Sequence, residues 1–84
     1  MLIAKIYVTL KPGVLDAQGD TVKSALETLG FEGLADVRVG KFMVLTLNSR
    51  TKEQATAHVE EMCRRLLANP VIEDYRFEIE GAEG

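Results

Sequence analysis

His58 and Cys63 are the only histidine and the only cysteine of this 84-residue sequence, and together they could supply a base and a nucleophile. Both fall in one predicted helix, five residues apart. At roughly 100° of rotation per residue, their side chains diverge by more than a right angle. We therefore predict no catalytic pair: Cys63 is interpreted as a small core residue and His58 as a residue at the border of the core.

The stretch from Lys11 to Gly19 could bind phosphate, because it places glycines between a predicted strand and a predicted helix. It lacks the Gly-Lys-Ser or Gly-Lys-Thr ending of a phosphate loop, and Asp16 and Asp20 would put negative charge where a phosphate binds. A turn followed by a helix cap is the favoured interpretation. The sequence therefore predicts no cofactor-binding site in this stretch.

The remaining charged residues follow patterns typical of solvated surfaces. One group forms i, i+4 pairs on a predicted helix, with the glutamates first: Glu60, Glu61, Arg64 and Arg65. Another lies on one face of the last predicted strand: Asp74, Glu78 and Glu80. Neither group has the mixture of ligands that a metal site requires, so we predict none. Arg38 and Lys41 flank Gly40 and could contact an acidic partner surface, although a solvated turn is the simpler interpretation.

Composition and length indicate a single globular domain. The chain is 46% hydrophobic and 27% charged with a net charge of −3, which argues against disorder and against a nucleic-acid-binding surface. No stretch approaches the roughly 18 apolar residues that span a bilayer, and one cysteine excludes an internal disulfide, so we expect a cytoplasmic protein without a membrane partner. Residues 1–80 are predicted to form the domain and residues 81–84 a polar C-terminal tail.

Hydrophobic periodicity and capping signals predict six elements in the order βαββαβ. This order matches the split-βαβ, ferredoxin-like α+β fold, in which two helices cover one face of an antiparallel sheet. Gly40 and Lys41 join the second and third strands so closely that they must form either a hairpin or a continuous bent ribbon. The predicted elements are strand 2–10, helix 16–29, strand 35–39, strand 42–47, a helix between Thr51 and Asn69, and strand 74–80.

Strand 42–47 is apolar on both of its faces, whereas strands 35–39 and 74–80 are apolar on one. The topology places strand 42–47 in the interior of the sheet, with one face toward the helices. An uncovered apolar face predicts association with a second copy, as a dimer or a tetramer. Exchange of βαβ halves between two chains would produce the same sequence pattern. The residues predicted to form the self-association face are Ile3, Tyr7, Met43, Leu45 and Leu47.

Three segments together resemble the PurS subunit family of phosphoribosylformylglycinamidine (FGAM) synthase: residues 8–19, 37–41 and 66–75. The resemblance extends from about residue 2 to residue 79 and includes chain length and element order. Ala17 is a departure, because the family is expected often to have proline at this first helical position. The difference concerns helix initiation and affects no functional role.

The resemblance implies a small subunit without catalytic residues that forms dimers in the FGAM synthase complex of purine biosynthesis. A synthetase subunit would use ATP and Mg to activate the amide of formylglycinamide ribonucleotide, and a glutaminase subunit would release ammonia. This chain would bridge the two subunits and help to keep the ammonia route closed to water. It would contain no cofactor itself.

The residues alone leave two function classes open. One is an assembly subunit of an enzyme complex, and the other is a ferredoxin-like regulatory module that binds a small molecule in a groove of the dimer. A third class, a dimeric cofactor-free enzyme, would need a polar side chain in an apolar pocket, and only His58 or Tyr7 could serve. The resemblance favours the assembly subunit.

Overall fold

A computed structural model of the protein describes residues 1–81. Asp16 accepts a hydrogen bond from Gly19 N as the N-cap of the first helix, and Thr51 caps the second by accepting from Gln54 N at 3.1 Å. The predicted tail lies outside the described residues beyond Gly81. The elements are β1 (Leu2–Leu10), α1 (Ala17–Thr28), β2 (Lys41–Leu47), α2 (Lys52–Met62) with a π-helical turn (Cys63–Leu67), and β3 (Glu73–Gly81).

β1 is the centre of the sheet, whose strand order within the described residues is β2-β1-β3. Both neighbours run antiparallel to β1, and Ile6 lies opposite Met43 on one side and Phe77 on the other. α2 covers the face that carries the even-numbered residues of β1, which we call the helix-side face; the opposite face is the outer face. The buried core between sheet and helix consists of Ala4, Ile6, Val8, Val59, Cys63 and Ala68.

The predicted α+β class of the split-βαβ type is confirmed, but strand 42–47, which was expected in the interior of the sheet, is an edge strand among the described residues. Residues 35–39 were expected to be a strand, but residues 31–40 pair with no strand among the described residues. A two-residue hairpin requires a positive φ at one or both of its central residues. Neither Gly40 nor Lys41 has a positive φ, so of the two predicted alternatives the hairpin is excluded and the chain continues directly into β2.

α1 and the segment that follows it, residues 31–40, form an arm (residues 17–40) that extends away from the sheet and α2. We call residues 31–40 the returning segment. Gly19 is the only buried residue of α1. The radius of gyration is 16.4 Å, whereas a compact domain of this length is expected to have a radius of gyration of about 12 Å. The molecule measures 49 × 31 × 15 Å along its principal axes. One helix therefore covers the sheet in this chain, and the second helix of the fold points away from it. No helix in the described part of the chain is long and apolar enough to cross a membrane.

Candidate interaction surfaces

The side chains with catalytic potential do not form an active site. Cys63 is fully buried, as predicted, and burial raises the pKa of its thiol, so the sulfur stays protonated and unreactive at neutral pH. His58 is exposed on α2, and the described residues show no hydrogen bond between the two side chains. Within residues 1–81, no group of three or more histidine, cysteine, aspartate or glutamate side chains is arranged to hold a metal ion.

The root of the arm is fixed by the carboxylate of Asp16, which is only 6% exposed. One of its oxygens accepts a hydrogen bond from Gly19 N at 2.7 Å, and the other accepts from Val39 N at 2.8 Å. Both hydrogen bonds lower the pKa of the carboxyl group because they stabilise its charged form, and the bond from Val39 has the larger effect. One side chain thus joins the start of the arm to its end.

Arg38 fixes the same root from the returning segment. Its guanidinium donates to three backbone carbonyl oxygens at the end of β1 and in the loop that follows: Val14 O at 3.2 Å, Leu10 O at 3.3 Å and Lys11 O at 3.1 Å. This local role was not evident from the sequence, which indicated only a possible partner contact. Lys41 lies 3.6 Å from the Glu73 carboxylate in an ion pair. Contact with a partner subunit stays a prediction for both basic residues.

Two glycines allow the root to pack closely. A Cβ on Gly19 would collide with the carbonyl oxygen of Val37, and one on Gly40 would collide with that of Val8. The glycine in α1 therefore permits helix and returning segment to approach, at the expense of helix propensity. Together with Asp16 and Arg38, these contacts hold the arm away from the helix-side face.

The helix of the arm exposes an apolar stripe, which we call the arm stripe. Leu29 is 73% exposed and Phe31 is 59% exposed, while Val22 is 37% exposed. An isolated amphipathic helix of 12 residues is marginal in water, so such a stripe normally packs against another surface. Nothing within the described chain covers it.

A complementary apolar groove lies on the helix-side face beside α2. It has a volume of about 460 Å³ between β2 and the C-terminal part of this helix. Leu66 in its wall is 82% exposed. The apolar lining consists of Leu45, Met62, Leu66 and Leu67, with His58, Glu61 and Arg65 also contributing. The groove lies on the sheet face that a split-βαβ fold covers with two helices.

The predicted self-association face needs a correction in β2. Residues directly opposite each other in adjacent strands share a face, and Leu45 lies opposite Ala4, whose side chain is buried under α2. By the same alternation, Met43 and Leu47 also belong to the helix-side face, where all three pack against the core. Their predicted position on the outer face is wrong. The sequence could not decide the matter, because both faces of this strand are apolar.

The outer face instead carries Phe42 and Val44 of β2, which are 56% and 53% exposed. Ile3 and Tyr7 of β1 lie on this face beside them, and both are half-buried. The rings of Tyr7 and Phe42 are 5.0 Å apart between centroids. An apolar patch thus remains on the sheet face opposite to α2, although its members differ in part from those predicted.

Comparison with known proteins identifies relatives along nearly the whole chain. The family model described as "PurS: Phosphoribosylformylglycinamidine (FGAM) synthase" matches residues 3–81. The phosphoribosylformylglycinamidine synthase subunit PurS of Bacillus subtilis is 48% identical over 80 residues, covering 95% of this chain and 94% of the relative. The corresponding subunit of Synechocystis is 49% identical over 80 residues and is covered to 80% of its length.

Solved structures agree with this match. The PurS structure of Methanocaldococcus jannaschii superposes with a TM-score of 0.88 at 40% identity, covering 99% of this chain and 100% of the other. A chain in the structure of PurLQS from Thermotoga maritima superposes with a TM-score of 0.82 at 29% identity, covering 94% of this chain and 98% of the other.

Proposed function

This chain belongs to the PurS family of FGAM synthase, and from that premise we propose that it bridges the glutaminase and synthetase subunits of the complex in purine biosynthesis. The synthetase would bind ATP and Mg and activate the substrate amide, and the glutaminase would supply ammonia. This chain would contribute surfaces and no catalytic group. By holding the two subunits together in the cytoplasm, it would keep the ammonia route closed to water.

The observation that carries the proposal is the amount of apolar surface that this small chain leaves open. The arm stripe, the groove and the outer face are each available for contact, whereas the only thiol is buried. Exposed apolar patches of this kind mark protein–protein interfaces. The presence of a related chain in the PurLQS structure of Thermotoga maritima supports partners of the same kind here.

Self-association by arm exchange is the second part of the proposal. The split-βαβ fold places two helices over one sheet face, and here the site for the second helix is the open groove. The chain's own α1 does not fill it, because Gly40 does not turn the chain back and the root contacts hold the arm outward. Short hinge segments under constraint favour exchange between identical chains.

In the exchanged dimer, α1 of one chain lies in the groove of the second copy. Its stripe of Val22, Leu26 and Leu29 then meets Leu45, Leu66 and related side chains. The returning segment then lies near the free edge of β2 of the second copy, which pairs with no strand among the described residues. One symmetric contact thus covers the arm stripe and the groove of each chain.

Reconstitution of the complex tests the bridging role. The purified glutaminase and synthetase would be assayed for amidine synthesis with and without this chain, once with glutamine and once with ammonium salts as the nitrogen source. We expect the chain to be inert alone, to be required with glutamine, and to matter much less with free ammonia, because only the glutamine reaction needs a closed route between subunits.

Equal glutamine-dependent activity without the chain would contradict the bridging role. The alternative of a ferredoxin-like regulatory module would then be tested by thermal shift with purines and amino acids. A ligand-dependent rise in melting temperature of the isolated dimer would favour that alternative.

A further inference from the structure

Two loops meet at the end of the sheet where β1 ends and β3 begins. They are residues 11–15 and residues 69–72, and we call them together the loop surface. The amide of Lys11 donates to the carbonyl oxygen of Ile72 at 2.8 Å, so the backbones of the two loops contact each other directly. The loop surface lies outside the groove, the arm stripe and the outer face.

Both loops expose large apolar side chains. Leu15 is 77% exposed and Val71 is 80% exposed, and Ile72 beside Val71 is also exposed. Turns in contact with water are usually made of glycine, proline and small polar residues, so apolar side chains of this size are unusual at such positions. Apolar tips on two joined loops form a patch of the kind that marks a protein interface.

Hydrogen bonds fix the shape of the loop surface before any partner is present. The amide of Asn69 donates to Glu73 Oε1 at 2.7 Å, and the side-chain oxygen of Asn69 accepts from Val71 N at 3.0 Å. Residues 11–15 are fixed by the guanidinium of Arg38, which binds two carbonyl oxygens within them. Because the loops are already ordered, binding through them costs less conformational entropy than binding through mobile loops.

At the border of the loop surface, cations are more accessible to a partner than anions. Lys41 and Glu73 form an ion pair in which the lysine side chain is 59% exposed and the glutamate side chain is 14% exposed. Arg38 is exposed, whereas the carboxylate of Asp16 at the same root is buried. A partner that approaches this border therefore meets mainly N–H donors, which favours a partner surface with carboxylates.

We propose that the loop surface binds one of the two enzyme subunits that this chain joins. The partner surface provides an apolar pocket for Leu15 and Val71 and carries carboxylates around it. This inference rests on the proposed bridging function and assigns a contact to it. A second copy of the chain does not suit the site, because two loop surfaces facing each other would bring the exposed cations of both copies together.

Titration of the reconstituted complex tests the proposal. Fixed amounts of glutaminase and synthetase would be titrated with this chain, and the chain concentration that gives half-maximal glutamine-dependent amidine synthesis would be measured. We expect Leu15→Glu and Val71→Glu each to raise this concentration about tenfold or more. The mass and melting temperature of the isolated chain should not change, because both sites are exposed. Ala57→Glu is the matched control, since it adds the same charge at an exposed site on α2 and should leave the concentration unchanged.

The ion pair between Lys11 and Asp74 tests the charge of the partner surface. The two side chains are 41% and 58% exposed and lie 3.7 Å apart between Nζ and the nearer carboxylate oxygen. Lys11→Gln and Asp74→Asn each break this pair, so a purely structural role would change the half-maximal concentration in the same direction. With an acidic partner, Lys11→Gln should raise it about twofold to fivefold, whereas Asp74→Asn should leave it unchanged or lower it.

The outcomes separate the contact from the function. Unchanged half-maximal concentrations in Leu15→Glu and Val71→Glu would overturn the proposal while leaving the bridging function intact. Equal losses in Lys11→Gln and Asp74→Asn would overturn the acidic partner surface. If the unmodified chain does not increase amidine synthesis at any concentration, the bridging function itself fails and the inference fails with it.

Discussion

The body of the molecule, formed by the sheet and α2, buries its apolar residues within one chain, whereas the arm exposes them. In the body, β1 and α2 enclose a core with fully buried side chains such as Ile6 and Val59. In the arm, the same kind of amphipathic pattern leads to a helix with a single buried residue, Gly19. Amphipathic periodicity therefore predicts that a surface needs cover, but not which chain provides it.

A charge in the groove should have the largest effect, because it would separate the arm of one chain from the body of another. Leu45→Lys places an ammonium group where α1 of the second copy is proposed to lie. Losing the burial of one leucine costs about 1.5–3 kcal/mol, and the symmetric contact contains this site twice. We therefore expect the dissociation constant of the dimer to rise about a hundredfold or more. Sedimentation equilibrium measures this as monomers or aggregates.

Leu15→Lys is the matched control for that variant. Leu15 is 77% exposed in the loop before α1, outside the groove and the outer face, so the same substitution there should leave the dimer intact. A well-folded Leu45→Lys dimer with unchanged affinity would contradict the assignment of the groove as the seat of the arm.

The comparison of body and arm also marks how far the sequence was predictive. Local signals located β1, both helices and their caps, because alternation, 3.6-residue periodicity and capping residues act within a few positions of one another. They could not reveal that Gly19 lies against Val37, or that Asp16 binds Val39 N, since these contacts join segments far apart in sequence. The second strand was predicted from alternation in residues 35–39. Alternation indicates that a segment can form a strand, but it does not indicate whether a neighbouring strand is there to pair with it.

The two faces of β2 illustrate the same limit. Alternation correctly separated Phe42 and Val44 from Met43 and Leu45, but both sets are apolar, so the choice of outer set depended on register with β1. Arg38 is a related case. An exposed basic residue near a glycine indicates a possible contact, and only the folded chain places three carbonyl oxygens around its guanidinium.

Loss of the Asp16 carboxylate should have an intermediate effect, by loosening the arm from the body at its root. Asp16→Ala removes both hydrogen bonds and leaves Val39 N without this acceptor. We expect a lower urea midpoint at neutral pH, with a clearly smaller change for Asp20→Ala, an exposed acid in the same helical turn. Chemical denaturation at fixed protein concentration measures both.

The pH dependence sharpens this prediction. Because folding lowers the pKa of Asp16, this carboxyl group binds a proton more readily in the unfolded chain, where its pKa has the ordinary value of about 3.9. The stabilisation is therefore present above that value and is lost as the pH falls through the lower pKa of the folded state. The difference between the wild type and Asp16→Ala should shrink progressively below pH ~4. A constant difference down to pH ~2 would show that the carboxylate charge does not provide the stabilisation.

Replacing His58 and Cys63 should have the smallest effect on function, because one is a core side chain of the body and the other lies at its surface. The double variant His58→Gln, Cys63→Ala should retain glutamine-dependent amidine synthesis in the reconstituted complex within a few-fold. The buried cysteine should still cost about 1 kcal/mol of stability, measured by urea unfolding, since its removal leaves a small cavity. Cys63→Ala alone should account for all of that loss. Complete loss of amidine synthesis in a folded, fully assembled complex would instead show that this chain takes part in the chemistry. Its function could then no longer be explained by a packed body and a binding arm alone.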